Sequence, residues 1–154
     1  MFVFDTSAYI NGWRYHYPRE TFGKVWERIG EALADGRVIS PREVLRELEK
    51  KDDDLFGWSK NFRSAFVPPT DDVQAEAGRL QAAFFPNPGT RDAADPWVIA
   101  EAKVKGLTVV TYEGTSINGT PTVKASTKMP GFCAAEGVDC VILGQALGQL
   151  GNQL

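Results

Sequence analysis

Short apolar runs alternate with stretches of helical periodicity along this chain. That is the pattern of an α/β domain built on a mostly parallel sheet. Met1 to Phe4 predicts a buried strand that opens the fold at once. A turn-rich stretch from Asn11 to Arg19 follows. Phe22, Val25, Trp26, Ile29 and Leu33 then recur at helical spacing up to Asp35-Gly36, a helix stop. Val38-Ile39 is a very short apolar segment. Ser40-Pro41-Arg42-Glu43 predicts a helix start, with serine as N-cap, proline at the first helical position and glutamate completing a capping box. That helix would carry Val44, Leu45 and Leu48 inward.

Leu55, Trp58, Phe62 and Phe66 mark a further helix, ended by Pro68-Pro69. Val73, Ala77, Leu80 and Phe84 mark another, ended by Pro86-Asn87-Pro88-Gly89. Asp95-Pro96 opens a helix that runs to Lys105 and is closed by Gly106. Leu107 to Thr111 is β-branched and predicts a strand. Gly114 to Thr127 is rich in Gly and Thr and reads as a surface loop. Gly131 to Glu136 predicts a short helix, Val138 to Val141 a last strand, and a closing helix runs to Leu150. No repeat, low-complexity tract or linker interrupts the pattern, so residues 1–154 read as one domain.

Composition narrows the class. Hydrophobic residues make up 43% and charged residues 24%, enough for a core and a solvated surface. No apolar run approaches the ~20 residues of a membrane helix. The N-terminus carries no basic region or cleavage site, so no signal peptide is expected. Cys133 and Cys140 make no disulfide framework and have no Cys/His partners for zinc. A reduced, cytoplasmic setting is the expectation. The net charge of −3 and pI of about 5.2 run against a simple nucleic-acid binder. A site for a divalent cation needs several carboxylates, however, and those alone lower the pI.

In open α/β sheets, chemistry sits beyond the C-terminal ends of the parallel strands. Asp5 directly follows the first strand, and Glu113 lies just past the strand ending at Thr111. Asp95 starts the helix that leads into that strand. Glu47 lies about 60° around its helix from Val44, at the edge of the buried face. Each also has a structural reading. Asp5 fits as a cap, Asp95 as an N-cap, Glu47 as a partner of Lys50 or Lys51, and Glu113 as a loop residue. Taken together, four carboxylates at these positions point to a hard-cation site, because Mg²⁺ prefers oxygen ligands.

The same residues resemble those of PIN-domain nucleases, including VapC-like toxins. That family opens with a strand ending in Asp plus Thr/Ser, as in Phe2-Val3-Phe4-Asp5-Thr6-Ser7. Its second acid lies in a Val-x-x-Glu-Leu context, as in Val44-Leu45-Arg46-Glu47-Leu48. Its third precedes an Ile/Val-Ala helix, as in Asp95-Pro96-Trp97-Val98-Ile99-Ala100. Its fourth follows an apolar strand as Thr-x-Asp, matched by Val109-Val110-Thr111-Tyr112-Glu113. Most relatives carry Asp rather than Glu at this last position, followed by a second acid absent here. Met129-Pro130-Gly131-Phe132-Cys133 also resembles an uncharacterised PIN-like subfamily.

The resemblance implies Mg²⁺- or Mn²⁺-dependent hydrolysis of RNA phosphodiester bonds. Asp5 and Asp95 would be direct metal ligands, with Glu47 and Glu113 acting directly or through water. Thr6 and Thr111 would hydrogen-bond a ligand carboxylate or the phosphate. Asp92, three residues before Asp95, is either an auxiliary acid or a solvated loop residue. Candidate RNA contacts are Arg42, Arg46 and Lys50, one stripe on the Glu47 helix, with Lys124 and Lys128 in the late loop. That stripe reads equally as a solvated face. His16, between Tyr15 and Tyr17, reads as an aromatic surface patch on which bases would stack rather than as a general base. Expected partners are RNA, a co-encoded antitoxin protein and a second copy in a homodimer, with no membrane.

Two other readings compete. Haloacid-dehalogenase-like phosphatases use an Asp after the first strand as nucleophile, here Asp5, but need a second Asp two residues on, where Ser7 stands. A catalytically inactive PIN-like interaction module would not need four acids.

Overall fold

A computed structural model describes residues 1–85, 94–112 and 128–151. Its frame is a parallel sheet of five strands: β1 (Phe2–Phe4), β2 (Val38–Pro41), β3 (Phe66–Val67), β4 (Thr108–Val110) and β5 (Cys140–Val141), in the order β3-β2-β1-β4-β5. β1 is central because all three of its residues are apolar and none faces water, the signature of a strand covered on both sheet faces. It pairs Val3 with Ile39 on one side and with Val109 on the other. The strand order turns around at β1, so the crevice between β1 and β4 lies where such sheets bind ligands.

Helices cover both faces. They are α1 (Thr6–Asn11), continued by a π-helical turn (Gly12–His16), then α2 (Gly23–Asp35), α3 (Arg42–Lys51) and α4 (Asp53–Ser59). A 3₁₀ segment (Lys60–Ala65), α5 (Asp71–Phe84), α6 (Asp95–Lys105), α7 (Met129–Ala135) and α8 (Leu143–Gly151) complete the series. Glycine punctuation ends α2 and α6 as the sequence predicts. Gly36 and Gly106 adopt φ of 84° and 68°, left-handed values that cost side-chain-bearing residues dearly. Trp13, Trp26 and Trp58 meet edge-on or tilted, with ring centroids 4.9 to 5.9 Å apart, and bind the π-helical turn, α2 and α4 together. Gly30 on α2 is small for a steric reason: a Cβ there would lie 2.7 Å from Phe62 Cζ. Among the described residues no helix is long and apolar enough to cross a membrane.

Four local expectations give way. Asn11 to Arg19 is largely helical rather than turns, because α1 runs on into the π-helical turn. Phe22 stands at the N-cap of α2 and is exposed, outside the apolar stripe. Phe66 belongs to β3, not to a helix with Leu55. Ser40 is not an N-cap: it ends inside β2, and Pro41 occupies the cap position with no side-chain bond. Its hydroxyl donates instead to Phe4 O at 2.7 Å and accepts from Tyr9 Oη at 2.9 Å, stitching β2 to β1 and α1. Gly114 to Thr127 and Pro86 to Gly89 lie outside the described residues.

Candidate functional site

The C-terminal edge of β1 and β4 is where the buried acids gather. Asp5 leaves β1 with its amide donating to Val110 O at 3.0 Å, so its backbone is fixed against β4. Its side chain caps α1: Oδ1 accepts from Ala8 N at 2.9 Å and from Ser7 Oγ at 2.8 Å. Oδ2 accepts from Thr111 Oγ1 at 2.5 Å. Thr111 is in turn held by its amide, which donates to Val141 O at 3.0 Å. Ser7 Oγ also accepts from Tyr112 N at 2.9 Å. One carboxylate is thus clamped by a backbone amide and two hydroxyls from two chain segments about a hundred residues apart in sequence.

The capping reading of Asp5 is therefore true, but it accounts for only one carboxylate oxygen. Of the two hydroxyls that follow Asp5, Ser7 bonds the carboxylate. The Thr6 hydroxyl is buried and has no hydrogen-bond partner among the described residues. The sequence pattern Asp-Thr-Ser contained this signal: with Asp5 as N-cap, Ser7 sits two residues into the helix, where its short side chain folds back.

Glu47 is carried by the inward face of α3, one turn past Val44. It accepts from Ala94 N at 2.8 Å through Oε1, while Lys51 Nζ lies 3.3 Å from Oε2. The first contact joins α3 to the start of α6, so Glu47 lies beside Asp95. Asp95 is not the N-cap of α6. Ala94 holds that position with no side-chain bond, and Asp95 is the first helical residue. Capping, the structural reading open to it on sequence, does not account for its burial. Asp5, Glu47 and Asp95 are 2%, 8% and 5% exposed, well below the norm for carboxylates.

Cys133, on α7, is buried within electrostatic reach of Asp5 and Asp95. Its thiol is pushed up by a side-chain hydrogen bond with Cys140, then by burial, and further by the negative charges of Asp5 and Asp95. Both aspartates are therefore close enough to act on one sulfur. Both cysteines are free thiols. Tyr112, next to Thr111, stacks on His16 with ring centroids 4.2 Å apart and planes within 9°. Burial, then the nearby Tyr17, pushes the Tyr112 phenol up. His16 is half-buried under that stack, so the aromatic patch predicted from its neighbours includes Tyr112, which the sequence does not suggest.

Burial alone does not mark a functional acid. Glu101 on α6 is wholly buried, yet Lys105 Nζ lies 2.7 Å from its Oε2 and neutralises it. Glu43 on α3 is also buried, and its Oε2 has no partner among the described residues. The sequence assigned Glu43 to a capping box that does not form.

Arg42, Arg46 and Lys50 line the exposed side of α3. Lys128 stands at the N-cap of α7, half-buried. Glu113, Asp92 and Lys124 lie outside the described residues. Within the described residues no three His, Cys, Asp or Glu side chains are arranged to hold a metal ion. The donor chemistry nonetheless suits a hard cation. It comprises two aspartates, a glutamate and hydroxyls, with no imidazole, and with a thiol whose raised pKa keeps it protonated.

The architecture has counterparts. The crystal structure of FitAcB from Neisseria gonorrhoeae superposes with a TM-score of 0.53 at 17% identity, over 92% of this chain and 96% of that one. At that identity the likeness is one of fold, and it is a PIN-like fold: a single α/β domain with a parallel sheet flanked by helices. No curated protein matches the sequence. A family model described as "Domain of unknown function (DUF4411)" matches residues 2–154, and the chain belongs to that family.

Proposed function

We propose that the protein is a Mg²⁺- or Mn²⁺-dependent endoribonuclease, the toxin of a toxin–antitoxin pair, with Asp5, Glu47, Asp95 and Glu113 as its acidic quartet. The observation that carries this reading is the burial of Asp5, Glu47 and Asp95 along the C-terminal edge of a parallel sheet. Asp5 is clamped there by Ser7 and Thr111. A divalent cation held by these carboxylates would offset their mutual repulsion.

Asp5 and Asp95 would hold the cation, and Glu47 and Glu113 would complete its shell. A bound divalent cation supplies Lewis-acid polarisation of the phosphodiester and neutralises charge that develops on it. The residues of this chain fix where that happens. Ser7 and Thr111 orient Asp5, and the Ala94 amide orients Glu47. Tyr112 and His16 present a stacked aromatic pair beside Thr111. The Ser7 hydroxyl, engaged with Asp5, takes the place of the second aspartate that a phosphatase with Asp5 as nucleophile would need. The family resemblance extends the reading to an antitoxin partner, a homodimer and a cytoplasmic setting.

The test is cleavage of labelled RNA with Mn²⁺ by wild type, Asp5→Asn and Asp95→Asn. Asn suits position 5 structurally. Its carbonyl accepts from Ala8 and Ser7, and its amide donates to a Thr111 hydroxyl that has turned around. Folded variants with cleavage reduced by orders of magnitude support the reading. Wild-type cleavage by both would end it.

A further inference from the structure

A separate pocket of about 360 Å³ opens beside Asp5. Thr6, Ser7, Ile10 and Asn11 of α1 line it, with Arg14 of the π-helical turn and Lys51 at the end of α3. Its chemistry is the reverse of the neighbouring edge. None of the lining residues is acidic, and together they offer a guanidinium, an ammonium, an amide and two hydroxyls. Two of its walls are shared with the acidic site. Ser7 donates to Asp5 Oδ1, and Lys51 Nζ stands 3.3 Å from Glu47 Oε2.

Arg14 is held in place rather than free to swing. Its Nε donates to Asp52 Oδ2 and its Nη2 to Lys51 O, both at 2.9 Å, while Nη1 has no bond among the described residues. Asp52 is itself anchored as the N-cap of α4, accepting from Leu55 N at 3.1 Å. A cation fixed this way does not have to be ordered when an anion arrives, which lowers the cost of binding. Thr6 adds a hydroxyl that the fold leaves unpartnered.

We propose that this pocket holds a backbone phosphate of the RNA strand, next to the phosphodiester presented to Asp5 and Asp95. A phosphodiester carries charge and accepts hydrogen bonds but donates none, so it suits donors held in place: Arg14 Nη1 and the Asn11 amide, beside Lys51 and Ser7, which also hold the carboxylates of Glu47 and Asp5. Ile10 gives the adjoining ribose an apolar surface. This inference rests on the nuclease reading and deepens it. A free phosphate has the same chemistry, so the test must tell strand from ion.

The experiment measures binding of a short fluorescent single-stranded RNA by the full chain carrying Asp95→Asn, which blocks cleavage, across a salt series. Arg14→Gln and Asn11→Asp are added separately, and Arg46→Gln on the α3 stripe serves for comparison. Asn11→Asp is isosteric and places a negative charge in the pocket, so it reads the site even if loss of Arg14 loosens α4. Each pocket variant should weaken binding by about tenfold, and Arg14→Gln should make the log–log salt slope shallower by about 0.7, the share of one single-strand phosphate. Arg46→Gln should do less. Wild-type affinity and slope in both folded pocket variants would overturn the proposal. So would loss of inorganic phosphate binding, read by ³¹P shifts, with RNA binding intact. If RNA is bound and is cut in an Asp5-dependent way while the pocket variants change nothing, only the subsite falls. If the wild type neither binds nor cuts RNA, the nuclease reading falls with it.

Discussion

Replacing Thr111 with Val tests the clamp on Asp5 with almost no change of shape. Thr111 is 1% exposed and its hydroxyl donates to Asp5 Oδ2 at 2.5 Å. Val puts a methyl group where the hydroxyl was, so no cavity forms, but a buried carboxylate oxygen loses a donor. A hydrogen bond to a charged group contributes about 1.5–3 kcal/mol, so a loss of about 2 kcal/mol is expected. For a chain of this length each kcal/mol moves Tm by about 2–4 °C, giving a drop of about 4–8 °C. Thr111→Ser keeps the hydroxyl and loses only a methyl group, which costs about 1 kcal/mol. Melting in EDTA should therefore rank wild type above Ser and Ser above Val. A purely structural clamp would stop there. If Thr111 positions a metal ligand, the Mn²⁺ concentration giving half-maximal stabilisation should rise for Val and stay near wild type for Ser. Val as stable as wild type, with unchanged Mn²⁺ dependence, would refute the reasoning.

Other expectations follow from the same geometry. Thr6→Val removes a buried hydroxyl without a partner and should leave stability unchanged or raise it by about 1 kcal/mol in urea melts, and a clear loss would show that the hydroxyl is satisfied. Mn²⁺ at about 100 times its dissociation constant should add about 2.7 kcal/mol to wild type and far less to Asp95→Asn, whereas a flat Tm across millimolar Mn²⁺ would count against the metal site. Glu76 and Glu136 are held below the ordinary glutamate range, Glu76 chiefly by its bonds to Arg79 and Lys103, and Glu136 chiefly by its bond to Lys103. Their contribution is complete at neutral pH and is lost as pH falls through their lowered values, below about pH 4. Glu136→Gln should flatten the acid limb of the stability curve, modestly because both cations are exposed; an unchanged limb would rule the cluster out.

What the sequence made legible was punctuation and period. Pro96 and Gly106 bracket α6, Gly36 stops α2, an apolar triplet marks β1 and a β-branched run marks β4, because local backbone preference and global packing agree there. The strand ends follow from these, so the placing of Asp5 and Asp95 was readable too. Where residues distant in sequence decide, the reading failed. Ser40-Pro41-Arg42-Glu43 has the composition of a capping box, but the Ser40 hydroxyl is claimed by Phe4 O and Tyr9 Oη, partners that only the folded sheet supplies. Phe62 and Phe66 keep a helical spacing past the end of α4, yet pairing with β2 draws Phe66 into a strand. The pairing of His16 with Tyr112 spans nearly a hundred residues and leaves no local trace.

The tryptophan cluster has a consequence for how every variant above can be read. Three of the four tryptophans, Trp13, Trp26 and Trp58, lie in mutual ring contact inside the wall formed by the π-helical turn, α2 and α4. Indoles locked at such distances and angles interact optically, so the native chain should carry a strong near-ultraviolet circular dichroism band. That band disappears when side-chain packing loosens, even where helices persist. Asp5, Glu47 and Asp95 are not among these rings, so an acid-site variant that keeps the band has lost chemistry and not structure. The protein contains its own optical reporter of tertiary order.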